Sequence, residues 1–383
     1  YGIDDKKYSD YKDLDVKGKV VVVRAGEPKD KAGNNILTGN KKSSKWSNGR
    51  QAISSKRDAA KDNGAKALFF MDDALFSRYS KFFKDRESKG GSNRLSLPAK
   101  KDGGAEMYYF LISEKMGKAL VKNISKSTKT ATVATKFEMN FKSVMESKPS
   151  ENVVAMIKGT EKPDEYIIIS AHLDHVGVNE KGQIFNGADD DGSGTVSLLE
   201  VAQAFKTAAD NGHGPKRSVI FLHVTGEEKG LLGSRYYTDY EPLVPLANTV
   251  ANLNVDMVGR IDPKREGDRN YIYLIGSDKL SSDLHNISEQ VNKTFTNVTL
   301  DYTYNDENDP NRFYYRSDHY NFAKNNIPII FYFNGTHDDY HRHTDTPDKI
   351  NYDLLENRSR LVFHTAWELA NRADRIVVDK ATE

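Results

Sequence analysis

One pattern constrains this chain more than any other: apolar runs that end in histidine or carboxylate. The first is Ile167-Ile168-Ile169-Ser170-Ala171-His172-Leu173-Asp174-His175. Such a run reads as a buried strand that delivers an imidazole and a carboxylate to its C-terminal end. The motif recurs downstream. Asp190 lies in Gly187-Ala188-Asp189-Asp190-Asp191-Gly192-Ser193-Gly194, just before a helical stretch. Glu227 and Glu228 follow the apolar run 219–224, Asp256 follows 250–255, and His341 comes after a run ending at Phe333. In an open α/β sheet, loops at the carboxyl ends of the strands share one edge. Residues far apart in sequence then meet at one point.

The pattern around these runs sets the fold class. From residue 141 onward, strands and helices alternate. Strands are predicted over 153–157, 166–171, 218–224, 250–255, 271–275 and 327–333. Helices are predicted over 193–209, 230–240, 281–291 and 354–373, the first with Val196, Leu199, Ala202 and Phe205 on one face. This order predicts a mixed, mostly parallel sheet sandwiched by helices. A length of 383 residues exceeds one ordinary core. Two domains are expected, 1–140 and 141–383. The first shows strands at 18–24, 65–71, 107–112 and 129–135, with helices at 50–64 and 114–121, and is expected to be β-rich. Its polar stretches 41–47 and 89–96 read as exposed, mobile loops. All ten histidines lie at or after His172, so the first region cannot supply an imidazole ligand.

Composition excludes several functions. Charged residues make up 29% of the chain but balance to +1, so no basic field favours nucleic acid. No apolar run approaches the ~18 residues that suggest a membrane span. The chain has no cysteine, which removes disulfides, thiolate ligands and cysteine nucleophiles. It opens at Tyr1 rather than Met and shows no signal-peptide pattern, so a processed product with its N-terminus missing is expected.

Two imidazoles and three carboxylates suit zinc, which takes nitrogen and oxygen ligands. Five ligands exceed what one catalytic zinc needs and fit two metals about 3.5–4 Å apart that share a carboxylate. Glu227 and Glu228 fit a division of labour, because adjacent side chains point in different directions. One can bind metal while the other handles a proton. Other conspicuous residues have plainer readings. Asp189 and Asp191 suit helix N-caps. His175 and His223 read as structural or pocket-lining, and His343 as a rim residue. Ser317-Asp318-His319 resembles a triad, but consecutive residues cannot form one by themselves. The loop Asn305-Asp306-Glu307-Asn308-Asp309-Pro310-Asn311 lacks the glycine and terminal glutamate of a calcium loop and reads as solvated.

Five motifs occur together in one order. They are His172-Leu173-Asp174, the 187–194 stretch, Gly226-Glu227-Glu228-Lys229-Gly230-Leu231-Leu232-Gly233-Ser234, Asn254-Val255-Asp256-Met257 and Tyr340-His341-Arg342-His343-Thr344-Asp345-Thr346. The set resembles the dizinc aminopeptidases related to aminopeptidase Y, a family that includes glutamate carboxypeptidase and the transferrin receptor. The strand–helix–strand order upstream resembles the protease-associated domain found in several secreted peptidases. The resemblance implies a zinc-exopeptidase fold and two Zn2+ per chain. Asp190 would bridge the metals, His172 and Asp256 would hold one, and Glu228 and His341 the other. It further implies Glu227 as general base, Asp174 orienting His172, and Tyr340 as a hydroxyl donor to the oxyanion. The spacing from His341 to Asp345 suggests a similar orienting role for Asp345. The implied activity is a metallopeptidase, foremost an aminopeptidase acting on peptides or proteins, secreted, periplasmic or at a cell surface. Three alternatives stay open: a dizinc carboxypeptidase or dipeptidase, a single-zinc glutaminyl cyclase, and a non-catalytic receptor-like relative.

Overall fold

The computed structural model describes residues 1–88, 95–98, 107–140 and 146–380. The chain divides into two compact units, one within Tyr1–Arg94 and Ala99–Met145, the other within Leu95–Pro98 and Glu146–Glu383.

In the first unit, β1 (Val20–Arg24), β2 (Ala67–Met71) and β3 (Tyr108–Ile112) pair in parallel, in that order. Parallel neighbours need a crossover between them. Helix α1 (Gly49–Asp62) lies between β1 and β2, α2 (Asp73–Ser88) between β2 and β3, and α3 (Glu114–Leu120) follows β3. These helices have 14, 16 and 7 residues against five for each strand, so this unit is an α/β layer where the sequence suggested a β-rich one. The strand predicted over 129–135 does not form. Residues 131–140 are exposed, and no ladder partner reaches them among the described residues. The loop predicted over 89–96 falls mostly outside the described residues. The 41–47 stretch is tied down instead of loose: Trp46 is buried, and Ser44 donates its backbone N–H and its hydroxyl to the Glu27 carboxylate, each at 2.9 Å.

The second unit runs β4 (Val153–Ile157), β5 (Lys162–His172), α4 (Gly192–Asp210), β6 (Arg217–Val224), α5 (Leu232–Asp239), β7 (Thr249–Val255), β8 (Tyr271–Ile275), α6 (Ser282–Phe295), β9 (Thr299–Asp301), α7 (His319–Ala323), β10 (Ile329–Phe333) and α8 (Tyr352–Asn371). Its seven-stranded sheet has the order β9-β8-β10-β7-β5-β6-β4. The central strands β6, β5, β7 and β10 are parallel neighbours, with β4 antiparallel on one side and β8 antiparallel to β10 on the other. Central parallel strands are covered on both faces, which is why Ile167-Ile168-Ile169 has no polar interruption. Ile167, Ile169 and Ala171 pack with Leu198 and Phe205 of α4 and with Leu361 of α8. Ile168 faces the other way, in a cluster with Tyr237 of α5 and Phe322 of α7. Each fully buried isoleucine contributes roughly 1.5–3 kcal/mol.

The buried face of α4 differs from the sequence prediction. Val196 and Leu199 are 45% and 57% exposed, while Gly194, Ser197, Leu198, Val201 and Phe205 are buried. The helix start decides its rotation. Asp191 caps it by accepting from Gly194 N at 3.0 Å, and a Cβ at Gly194 would collide with the Val255 carbonyl. Only a glycine lets the first turn approach β7 so closely.

Register sets up the site. His172 on β5 lies opposite Val224 on β6, and Ser170 lies opposite Asn254 on β7. Strands that run together and end level place Glu227, Asp256 and the residues after β10 along one edge.

Candidate metal centre

Asp190 is the pivot of the cluster. Its Oδ1 lies 3.2 Å from His172 Nε2, which is also 3.6 Å from Asp256 Oδ1. Its Oδ2 lies 3.1 Å from His341 Nε2, which is also 3.1 Å from Glu228 Oε2. One carboxylate thus divides between two sets of donors: His172 with Asp256, and His341 with Glu228. The five residues named from sequence as metal ligands converge on this one place. Glu227 and Tyr340 line the same pocket as Asp190, Asp256 and His341.

Four of the five donors, all but His341, are held from behind. The Asp190–Asp191 peptide is cis. Asp191 accepts from Met257 N at 3.1 Å and from His172 N at 3.1 Å, besides capping α4. Distance alone also groups Asp191 with His172 and Asp256. Both of its oxygens already accept backbone N–H bonds, so it is scaffold and Asp190 is the free donor. Asp189 is not an N-cap as the sequence suggested. Its carboxylate accepts from Gly259 N at 2.7 Å and pairs with His337 Nε2 at 3.0 Å. Asp256 accepts from Ser317 Oγ at 2.6 Å, Ser317 accepts from Asn254 Nδ2 at 2.9 Å, and Asn254 accepts from Ser170 Oγ at 2.7 Å. The triad-like Ser317-Asp318-His319 is therefore a support. Ser317 holds Asp256, Asp318 accepts from Ser234, and His319 Nε2 pairs with the Tyr314 carbonyl at 2.8 Å.

Two orienting roles change. The Asp174 carboxylate does not orient His172. The ring Nδ1 of His172 lies 2.9 Å from the Asp174 backbone carbonyl and 3.9 Å from its carboxylate. That carboxylate instead accepts from Glu227 N at 3.0 Å and Glu228 N at 3.3 Å, so it fixes the Glu227–Glu228 turn. Asp345 does not reach His341 either. Fully buried, it accepts from Asp189 N at 2.9 Å and Asp190 N at 3.3 Å. In both cases the carboxylate found backbone N–H groups of a tight turn, which spacing in sequence cannot show. His337, buried against Asp189, was missed, although an imidazole four residues past β10 repeats the strand-end signal. His223 Nε2 pairs with the Thr195 carbonyl at 3.1 Å, and His343 is exposed.

The electrostatics describe a place short of positive charge. Burial alone would lower the pKa of His172, but the Asp256 and Asp190 carboxylates override it and hold the imidazole well above its usual value. His341 is raised to about 9: burial opposes this, and Asp190 and Glu228 outweigh it. Burial pushes the Glu227 carboxyl well up, the neighbouring acids Asp318, Asp256 and Asp190 add to it, and His172 opposes. Such a buried acidic cluster favours a cation. His172 Nε2, Asp190 Oδ2 and Glu228 Oε1 are buried without a hydrogen-bond partner among the described residues. The donor separations of 3.1–3.6 Å also fit. Bonds of about 2.0–2.1 Å in a tetrahedron put ligand atoms about 3.3 Å apart. The donor set therefore fits zinc.

Beside the cluster the pocket wall is apolar, formed by Met257, Phe313, Phe331 and Phe333. Arg316 stands at this pocket, its guanidinium 4.9 Å from the Phe313 ring centre and 3.4 Å from the Tyr340 hydroxyl. The Tyr340 ring stacks on His341 at 3.9 Å, and burial pushes its phenol pKa up.

The sequence model of peptidase family M28 matches residues 152–366, more than half of the chain. Aminopeptidase NAALADL1 of Mus musculus is 36% identical over 114 residues, 30% of this chain and 14% of that protein. Aminopeptidase YwaD of Bacillus subtilis is 30% identical over 149 residues, 34% of this chain and 30% of that protein. A probable glutamate carboxypeptidase, LAMP1 of Arabidopsis thaliana, is 37% identical over 106 residues, 28% of this chain and 14% of that protein. The matched stretches span only 14% to 30% of the length of these three relatives. Among solved structures, a zinc aminopeptidase from Bacillus subtilis aligns with a TM-score of 0.48 at 20% identity, over 96% of this chain and 74% of that one.

Proposed function

Because the chain belongs to peptidase family M28, we propose that its second unit is a zinc-dependent aminopeptidase holding two metal ions. The observation that supports two ions is Asp190, whose two oxygens face separate donor sets. His172, Asp190 and Asp256 would hold one ion, and Asp190, Glu228 and His341 the other. Bound zinc supplies positive charge that polarises a carbonyl and eases deprotonation of water near neutral pH. The remaining steps belong to side chains. Glu227 takes the proton of the attacking water as the C–O bond forms, and gives it to the leaving nitrogen as the C–N bond breaks. Its backbone, pinned by Asp174, keeps the carboxylate beside Asp190 and Asp256. The Tyr340 hydroxyl donates to the developing oxyanion. The apolar wall of Met257, Phe313, Phe331 and Phe333 takes an apolar substrate side chain and keeps water out.

The name "aminopeptidase" borne by two of the relatives supports an N-terminal cleavage. Arg316 supports a second reading, a carboxypeptidase or dipeptidase, because a guanidinium at the pocket suits a free α-carboxylate. Two further proposals rest on the resemblance: that the first unit is a protease-associated domain, which the order β1, α1, β2 supports, and that the protein works outside the cytoplasm. No helix among the described residues is long and apolar enough to cross a membrane.

The test is zinc content per chain, followed by hydrolysis of aminoacyl anilides, N-blocked peptides and C-amidated peptides with and without chelator. Two zinc ions and chelator-sensitive cleavage of substrates with a free amine are expected. Cleavage of N-blocked peptides alone moves the assignment to the second reading. Activity that survives complete zinc removal overturns both.

A further inference from the structure

His175 is in the cluster and has no role in the chemistry above. It lies three residues beyond His172, and its side chain is only 9% exposed. Its Nδ1 is 2.9 Å from Glu228 Oε1 and 3.9 Å from Asp190 Oδ2. Neither ring nitrogen, nor Glu228 Oε1, has an aligned hydrogen-bond partner among the described residues, so the close approach of Nδ1 to Oε1 leaves both atoms unsatisfied. The ring is built into its place. A Cβ at Gly187 would fall 2.6 Å from its Cγ, so the loop that carries Asp190 lies directly over it. Its other side meets the His341 ring edge-on at 5.8 Å.

The two oxygens of Glu228 are distinguished by their neighbours. Oε2 lies 3.1 Å from His341 Nε2, within the donor set shared with Asp190 Oδ2. Oε1 faces His175. A separation of 2.9 Å is the length of a charge-assisted hydrogen bond, and it becomes one when the ring turns to point Nδ1–H at Oε1. We propose that His175 is a positioning residue: it donates Nδ1–H to Glu228 Oε1 and so turns Oε2 toward the second metal position. This rests on the two-zinc reading above. In that arrangement the two metal positions differ in their support. Asp256 is fixed by the Ser317 hydroxyl, and Glu228 by an imidazole. Partners that orient a ligating carboxylate tune metal affinity without touching the metal.

Zinc titration of the full chain against a chromophoric chelator tests this, with the visible spectrum of the cobalt(II)-substituted protein as a second readout. Wild type must first bind two zinc ions with two resolvable constants. If it binds fewer, the two-zinc reading fails and this proposal falls with it. His175→Ala is expected to weaken by about 10–100-fold only the ion that Glu228→Ala also weakens. His175→Asn carries an amide N–H where Nδ1 stood, so it is expected to recover zinc affinity to within about threefold of wild type, with the cobalt spectrum unchanged. Two results overturn the proposal. Unchanged zinc constants in His175→Ala make the ring a packing residue only. Loss in His175→Asn as large as in His175→Ala, with an altered cobalt spectrum, makes His175 a direct ligand. Circular dichroism of both variants checks that each is folded, and the asparagine variant stands if the alanine variant is not.

Discussion

Ser317→Ala tests how Asp256 is held. In the structure Ser317 is 1% exposed and sits between two polar groups. It donates to Asp256 Oδ2 at 2.6 Å and accepts from Asn254 Nδ2 at 2.9 Å. A hydrogen bond to a charged group contributes about 1.5–3 kcal/mol, and a buried donor left unsatisfied costs about 1–3 kcal/mol. The variant loses the first and orphans the Asn254 amide, so a loss of roughly 2.5–6 kcal/mol is expected for the metal-free second unit. A carboxylate freed to swing should also hold its zinc about 10–100-fold more weakly. The chain has two tryptophans, Trp46 in the first unit and Trp367 on α8. In a Trp46→Phe background, Trp367 fluorescence follows urea unfolding of the second unit alone. Zinc affinity is read by chelator competition in the same background. A urea midpoint and zinc constants equal to those of the parent would refute the argument, because the hydrogen-bonded chain from Ser170 to Asp256 would then hold nothing. Loss of all turnover at full zinc occupancy would refute it differently, by making Ser317 a reacting group.

Two shorter predictions follow from the same geometry. Glu227→Gln should remove turnover by at least about 100-fold while leaving the zinc content unchanged, since the proposed role of the side chain is to move a proton and not to hold metal; loss of zinc in this variant would exchange the roles of Glu227 and Glu228. The third concerns pH. Burial depresses the pKa of His319 to about 3, with its bond to the Tyr314 carbonyl opposing. Below the ordinary value of 6.5 the unfolded chain takes a proton that the folded chain refuses, so stability falls as pH drops from 6.5 toward 3. The slope from this one group is about 1.4 kcal/mol per pH unit. Metal-free His319→Gln should therefore lose about 2–3 kcal/mol less than wild type between pH 6.5 and 4.5; parallel stability curves would show that the imidazole is not what titrates.

The parallel centre of the large sheet was readable from the chain because its cause is local. Three consecutive strand segments, β5, β6 and β7, with α4 and α5 between them leave little choice but a covered sheet, and apolar runs such as Ile167-Ile168-Ile169 mark its middle. The positions of His172, Glu227, Glu228, Asp256 and His341 were readable for the same reason, since each follows a strand. The first unit was less legible. Its strand order is plain, but the alternating 129–135 segment has the composition of a strand without a neighbour to pair with. Helix α2 was passed over, although Leu75, Tyr79, Phe82 and Phe83 stand at helical spacing; it buries none of its residues.

What the sequence determined by itself is therefore the inventory: which side chains could bind a cation, and that strand ends would carry them. Tertiary structure decided what stands behind each one. Asp174 and Asp345 look like partners of histidines by spacing, yet Asp174 spends both oxygens on the backbone N–H groups of Glu227 and Glu228, and Asp345 spends Oδ2 on those of Asp189 and Asp190. The same rule rotated α4 about its Asp191 cap and turned Ser317 toward Asp256. A buried carboxylate or hydroxyl must find donors within hydrogen-bond reach. Which donors are there depends on how close two turns come in space, and separation along the chain does not encode that distance.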